Sequence, residues 1–167
     1  MRINKGGDYL STEDDHRHYV EEVALQFERL GISRSAGRIL GWLLIAEPPH
    51  QTMNDLANGL QVSKSSVSTA TQYLIQLGLI QRLSLPGERP DYYRVTEGVW
   101  QTTVRQQKNQ VVVLRQLAEQ GLNLLPEQPA ERRNRLEEMR DFYAFFEKEI
   151  PLLLDRWEAE SRRGDKE

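Results

Sequence analysis

The fold is decided by residues 63–78, which read SKSSVSTATQYLIQLG. Ser63 is a residue type that caps the start of a helix and Gly78 one that follows its end, so the stretch predicts a single helix. At 3.6 residues per turn, the apolar side chains of this helix share one face: Val67, Ala70, Leu74 and Leu77. We therefore expect that face to pack on the rest of the domain and the opposite face to point outward.

The opposite face of this helix contains no acidic residue, whereas surface helices usually mix Glu with Lys. It carries hydroxyl and amide side chains and one lysine at its N-terminal edge: Lys64, Ser65, Ser68, Thr69, Gln72 and Gln76. Such groups hydrogen-bond phosphate oxygens and base edges, and the helix N-terminus adds partial positive charge. The face suits a nucleic acid, although a solvated helix rich in Ser and Thr would have the same composition.

A shorter helix is predicted directly before this one. Residues 52–55, TMND, resemble a capping box in which Asp55 reaches back, and a helix follows from there through Leu60. Gln61 and Val62 are left to form a tight turn. A short helix, a tight turn and a helix with a polar outer face have helix-turn-helix spacing.

A β-hairpin is predicted directly after the polar helix. Residues 79–85 and 91–96 read as strands, and the turn residues between them are PGERP. A helix-turn-helix followed by a hairpin is a winged helix, so the predicted fold is mainly α with a small β-hairpin wing. Arginines stand on or beside the hairpin at three positions: Arg82, Arg94 and, at its tip, Arg89.

Positive charge is concentrated around these elements. The chain has a net charge of −3, yet residues 34–105 contain seven basic and five acidic side chains. A local basic excess of this kind is typical of nucleic-acid binding, although packing alone would account for the Leu and Tyr residues of the hairpin. A dimer would double the excess.

Apolar stripes at the two ends of the chain predict helices that flank the winged helix. The first helix runs from about Ser11 to Gly31, and the last, after a break at residues 124–129, contains Pro151, which we expect to kink it or to end its regular hydrogen bonding. Apolar residues of the last helix recur at alternating steps of three and four, which is a heptad seam. We interpret both stripes as a dimer interface, with intramolecular packing as the alternative, and the proposed interface residues are Val20, Phe27, Leu136, Met139, Tyr143, Phe146, Ile150, Leu153 and Trp157.

Three regions follow from this pattern. Residues 1–32 are a tail and an N-terminal dimerisation helix, residues 33–96 are the winged helix-turn-helix, and residues 97–167 are a C-terminal helical dimerisation region. No Gly- or Ser-rich linker separates them.

The segments SRSAGRILGWLLIAEPP, DLANGLQVSKSSVSTATQYLIQLGLIQR and PGERPDYYRV resemble the MarR-type winged-helix regulators. Within these the chain is most similar to the GbsR-like branch, which is associated with glycine betaine and choline responses. The resemblance implies a homodimer joined through its terminal helices, with one recognition helix and one wing in each subunit. One departure is that many wings of this family carry Asp before the tip arginine, whereas Glu88 precedes Arg89 here.

The expected function is that of a sequence-specific regulator of transcription that binds double-stranded DNA. We expect contacts from Lys64, Ser65, Ser68, Thr69, Gln72, Arg82, Arg89 and Arg94, and an operator that is an imperfect palindrome with half-sites ~10 bp apart. The alternative is a winged-helix module that binds protein without DNA specificity, for which the polar side chains of the helix are poor anchors.

An aromatic cage is a further hypothesis from composition. Trp42, Trp100, Tyr92 and Phe142 would suit a quaternary ammonium effector through cation–π attraction, although aromatic residues more often serve packing.

Enzyme, metal and membrane functions are not expected. The chain has no cysteine, no Gly-rich phosphate loop and no nucleophile elbow. His16 and His18 are two residues apart, so they do not share a helix face as metal ligands would. With no apolar run of ~20 residues and no signal sequence, a cytoplasmic protein without cofactor is expected.

Overall fold

The computed structural model describes residues 13–164, which fold into helices and one small sheet. The predicted helix start at Ser11 lies outside the described residues. The helices are α1 (Glu13–Arg29), α2 (Arg34–Ile45), α3 (Met53–Leu60), α4 (Lys64–Gln76), α5 (Val99–Asn123) and α6 (Ala130–Gly164), and the strands are β1 (Gln51–Thr52), β2 (Ile80–Ser84) and β3 (Asp91–Val95). This confirms the predicted class, mainly α with a small β wing.

The helix-turn-helix consists of α3, a short turn and α4, and the predicted caps hold its ends. Asp55 N–H donates to Thr52 Oγ1 at 3.2 Å, and Thr52 N–H donates to Asp55 Oδ2 at 2.9 Å, which completes the capping box. At the start of α4, Ser66 N–H donates to Ser63 Oγ at 3.2 Å. Gly78 has φ +71°, as expected of the residue that ends this helix.

The sheet has three antiparallel strands in the order β1-β3-β2. Strands β2 and β3 form the predicted hairpin, with Arg82 opposite Tyr93. Strand β1 was not predicted, since two residues are too short to display strand alternation. It pairs Gln51 with Tyr93 and so ties the chain ahead of α3 to the wing.

The core of the first compact unit, which ends at Val99, is built around α2. Six residues of α2 are buried, among them Ile39 and Leu40. They pack with Leu56 of α3 and Ile80 of β2, and α4 adds Val67, Ala70 and Leu74 to the same cluster.

The predicted apolar face of α4 is wrong in two details. Leu77 is 39% exposed because α4 ends at Gln76. The buried face of α4 instead includes Thr71, 1% exposed, whose hydroxyl donates to the Val67 carbonyl at 2.8 Å. That hydrogen bond satisfies the only polar atom of its side chain, so a threonine is tolerated in the core.

Helices α1 and α2 approach closely, and two residues proposed for the dimer interface take part in this packing. Val20 is 2% exposed within the core and Phe27 packs against it. The structure therefore corrects the assignment of Val20, which has too little accessible surface to contact a partner. At Gly37 an added Cβ atom would lie 2.8 Å from the Ala24 Cα, so only glycine fits here without displacement.

The second compact unit begins at Trp100 and contains nearly all of α5 and the whole of α6. Ala118, Leu122 and Leu154 are buried in it. Arg115 pairs with Glu147, and Arg105 pairs with Glu158. Helix α6 continues through Pro151, so the proline does not end it.

The close approach of α1 and α2 generates a stability prediction. We expect Gly37→Ala to lower the free energy of unfolding by about 1–3 kcal/mol, because the added methyl pushes the Ala24 backbone away. Gly121→Ala is the matched control, since its Cβ would meet only the flexible end of Leu136. The control should gain up to ~1 kcal/mol of helix propensity and keep or raise stability. Urea unfolding followed by circular dichroism measures both, and a Gly37→Ala variant at least as stable as wild type would contradict the packing.

Candidate nucleic-acid interface

The outward face of α4 is polar and free of acidic residues. Lys64, Ser65, Thr69 and Gln72 are exposed, and Ser68 is half-buried at the edge of the face. Gln76 is exposed at the C-terminal end of the same face. On the opposite side Val67, Ala70 and Leu74 are at most 3% exposed, so core packing determines which side chains of α4 point to solvent.

The first turn of α4 is favourable for an anion. It contains no acidic residue, so nothing offsets the partial positive charge of the helix N-terminus. Ser63 Oγ lies 2.9 Å from both Ser65 Oγ and Ser66 Oγ, which places three hydroxyls at this turn. Lys64 adds an exposed ammonium beside them.

Thr69 lies on the flank of the outward face that adjoins α2. Its hydroxyl donates to the Ser65 carbonyl at 3.1 Å, which leaves the methyl group for an apolar contact. Together with Tyr73 it lines an open groove of about 520 Å³ that is bounded on the other side by Ser33 and Ser35. The Tyr73 hydroxyl donates to the Gly31 carbonyl at 3.3 Å and holds the end of α1 against α4.

The arginines of the hairpin do not share one face. Arg82 is opposite Tyr93, and Arg94 is opposite Gln81. Successive residues of a strand point to opposite faces and residues directly opposite one another share a face, so Arg82 and Arg94 lie on different sides of the wing.

The three hairpin arginines also differ in their ion pairs. Arg82 contacts Asp91 at 2.6 Å, and this carboxylate raises the pKa of the Arg82 guanidinium by hydrogen bonding and charge attraction. Arg94 contacts Glu97 at 3.3 Å. Arg89, at the exposed tip, has no ion-pair partner among residues 13–164. It is therefore the hairpin arginine whose charge is least compensated by the chain itself.

Tyr92 organises the base of the hairpin loop. Burial, and after it the nearby Glu88 carboxylate, raise the pKa of Tyr92. The Tyr92 ring also meets His50 edge to face, with centroids 5.2 Å apart. Glu88, the acidic residue next to the tip, thus lies near Tyr92 of the wing, whereas the neighbouring Arg89 is exposed to solvent.

A recognition helix and a wing of this form have clear relatives. The MarR family model matches residues 30–89, and the model of the MmpR5-like MarR family transcriptional regulators matches residues 98–160. The HTH-type transcriptional regulator MmpR5 of Mycobacterium tuberculosis is 35% identical over 165 residues, which is 99% of this chain and 100% of the relative. The chain belongs to the MarR family of transcriptional regulators.

Two further proteins similar to this MarR-family chain are regulators of transcription. A crystal structure of a transcriptional regulator is 36% identical, with a TM-score of 0.69, over 87% of this chain and 99% of that chain. The HTH-type transcriptional repressor OpcR of Bacillus subtilis is 25% identical over 92 residues, which is 55% of this chain and 49% of the relative. The predicted GbsR-like branch is not confirmed, since the model that matches the C-terminal helices is MmpR5-like.

A second exposed surface of the MarR-family chain lies on α6. Of the predicted seam residues, Phe146 is 38% exposed, Leu153 52% and Trp157 54%. Phe146 and Leu153 line a groove of about 220 Å³ together with Ile150. Leu136 is half-buried against Gly121, and Met139 and Tyr143 are half-buried. Exposed aromatic and aliphatic side chains in such number on one helix mark an interaction surface.

The proposed aromatic cage residues have separate surroundings. Trp42 packs on Gly59, and Tyr92 meets His50. Phe142 contacts Tyr143 and Phe146 on α6, and Trp100, at the start of the second unit, is 49% exposed. Trp42 and Tyr92, which share a unit, are not in ring contact.

Residues 13–164 contain no group of three or more His, Asp or Glu side chains that could hold a metal ion. His18 lies 3.3 Å from Glu22, one turn along α1. No helix in the described part of the chain is long and apolar enough to span a membrane.

Sequence reasoning missed one polar contact beside the helix-turn-helix. Arg38 of α2 donates from Nη2 to the Leu60 carbonyl at 3.1 Å, directly before the turn. Its Nε lies 2.7 Å from Glu21 Oε1 of α1. The available signal was an arginine within the apolar stretch AGRILGWLLI, but the partner atoms could not be read from that stretch.

Proposed function

We propose that this transcriptional regulator acts as a homodimer that binds double-stranded DNA with sequence specificity, α4 lying in the major groove and the wing beside it. The observation that carries the proposal is the acid-free outward face of α4, held in place by three buried side chains on its opposite face. Such a face approaches phosphates without charge repulsion and presents side chains that bond base edges.

Within α4 we assign different roles to its start and its middle. Lys64 and Ser65 stand at the first turn, where ammonium, hydroxyl and backbone N–H groups suit phosphate oxygens. Gln72 is long, exposed and able to pair bidentately with an adenine edge, and the Thr69 methyl can pack on thymine. Ser68 lies at the edge of the same face and adds a hydroxyl group to it.

The roles of Gln72 and Lys64 can be separated by alanine variants. Gln72→Ala should relax base preference at one position of each half-site, at a cost of about 1–3 kcal/mol of discrimination. Lys64→Ala should weaken specific and random duplexes alike, because a phosphate contact carries no sequence information. Fluorescence anisotropy on duplexes with single-base changes measures both variants. The assignment fails if Lys64→Ala changes the base preference and Gln72→Ala does not.

We further propose that the wing contacts DNA mainly through Arg89. It is exposed at the tip without an ion pair in the described chain, whereas Arg82 and Arg94 must first exchange Asp91 and Glu97 for a phosphate. A free guanidinium gains more on meeting the DNA backbone or minor groove, since no existing pair is lost.

Arg89→Ala should therefore weaken binding to every sequence about equally and reduce the slope of log K against log salt by about 1 for each lost contact. Arg17→Ala is the control for charge, because Arg17 lies on α1 and pairs with Glu13. Affinity should be measured from low to moderate salt for both variants. Wild-type affinity of Arg89→Ala at low salt would mean that the wing does not touch DNA.

Dimerisation is proposed to use the exposed apolar face of α6. The two-fold symmetry of a dimer would bring two recognition helices to successive major grooves, which matches an imperfect palindrome with half-sites ~10 bp apart. Without a partner, the apolar side chains of Phe146, Leu153 and Trp157 would remain exposed to water. Burying a side chain of that size in a dimer interface would contribute roughly 1.5–3 kcal/mol to the free energy of association.

We expect Phe146→Asp to yield monomers or aggregates at micromolar concentration and to abolish tight operator binding, because a charge in an apolar seam is costly to bury. Ala144→Asp introduces the same charge at an exposed position outside the heptad seam and should remain dimeric. Sedimentation velocity distinguishes the outcomes. A folded wild-type monomer at the same concentration would contradict the proposed dimer.

Two finer hypotheses from the sequence stay predictions. One is a quaternary ammonium effector held by aromatic side chains, together with the GbsR-like branch that would go with it. The other is a cytoplasmic location.

A protein-binding module remains the competing function, and steep loss of affinity with added salt would favour DNA, since counterion release accompanies phosphate contacts.

A further inference from the structure

Arg38 connects α1 to the turn of the helix-turn-helix. Its Nη2 donates to the Leu60 carbonyl at 3.1 Å, and its Nε lies 2.7 Å from Glu21 Oε1. The Nε atom is buried, and its approach to the carboxylate lacks hydrogen-bond alignment, so charge attraction holds this half of the contact. The second oxygen of Glu21 contacts Arg34 at 2.9 Å, which fixes the carboxylate from its other side.

The turn that Arg38 contacts has an unfavourable backbone conformation. Gln61, directly after α3, has φ 54° and ψ 47°, the left-handed region that side chains with a Cβ atom rarely adopt. Glycine usually occupies such a position at the end of a helix. The N–H groups of Gln61 and Val62 return to carbonyls of α3, and the peptide between Leu60 and Gln61 is held by Arg38.

We propose that Arg38 is a positioning residue for DNA reading, because it stabilises the left-handed turn that sets the direction in which α4 leaves α3. Glu21 aims the Arg38 guanidinium, so the orientation of the recognition helix depends on α1. The inference rests on the proposed function, in which α4 reads DNA. In this proposal, Arg38 does not contact DNA.

The position of Arg38 in the fold supports this role. It is flanked on α2 by core residues, one of which, Ile39, is 1% exposed, so its backbone is fixed. Its side chain lines a small cavity of about 20 Å³ with Leu60, Val62 and Ser66, which belong to α3, the turn and α4. A guanidinium held at this junction restricts all three segments.

The test combines Arg38→Met with Gln61→Gly. Arg38→Met keeps much of the side-chain bulk but loses the hydrogen bond, and should weaken operator binding about tenfold. A tenfold change in affinity corresponds to about the free energy that one hydrogen bond to a charged group contributes. The slope of log K against log salt should not change, because no phosphate contact is lost. In the Gln61→Gly background the same substitution should cost clearly less, since glycine adopts the left-handed turn without strain.

A measurement without DNA keeps this inference distinct from the proposed function. Hydrogen exchange of the Gln61 and Val62 amides should be faster in Arg38→Met, while the Leu40 amide in the core of α2 should change less. Glu21→Gln, a milder change, should accelerate the same amides to a smaller degree. Arg17→Met, which removes an exposed arginine of α1, should leave them at the wild-type rate.

Three results would overturn the positioning role. The first is unchanged exchange at the turn in both Arg38→Met and Glu21→Gln. The second is a loss of affinity accompanied by a smaller salt slope, which would make Arg38 a phosphate contact. The third is an equal loss of affinity in the wild-type and Gln61→Gly backgrounds. If wild-type protein bound no DNA sequence, the proposed function would fail, and the exchange rates would still decide whether Arg38 holds the turn.

Discussion

The structure depends on the burial of one face of α4. Val67 and Leu74 have no exposed surface, and Ala70 has 3%, so α4 is seated in the core formed with α2. Burying a side chain of the size of Val or Leu contributes roughly 1.5–3 kcal/mol. Rotating α4 by half a turn would expose these residues and bury Gln72 and Ser65, which would lose hydration without gaining partners. The apolar face therefore fixes which polar side chains can meet DNA.

The charged residues near this surface favour DNA binding, although the net charge of the whole chain is −3. Two acidic residues near the proposed interface have partners within the chain: Asp55 caps α3 and Asp91 pairs with Arg82. Lys64 and Arg89 have no such partner in the described chain. Long-range repulsion is screened within about 8 Å at physiological salt, so these local charges outweigh the total.

What the sequence predicts well is local. The Thr52–Asp55 capping box and the Ser63 cap join atoms within four residues, and the helix and hairpin periods are repeated patterns. What it misses depends on distant partners. Strand β1 exists only because Gln51 and Thr52 pair with β3, and the Arg38 contact with Leu60 spans 22 residues. Exposure of Leu77 and burial of Val20 depend on where helices end and which neighbours they meet.

If α4 reads DNA as one of a symmetric pair, the wild-type protein should select a symmetric sequence from a random pool of duplexes. We expect enrichment of an imperfect palindrome whose half-sites are about 10 bp apart, one for each recognition helix. Recovery of no motif, or of a single half-site without its symmetric partner, would contradict it.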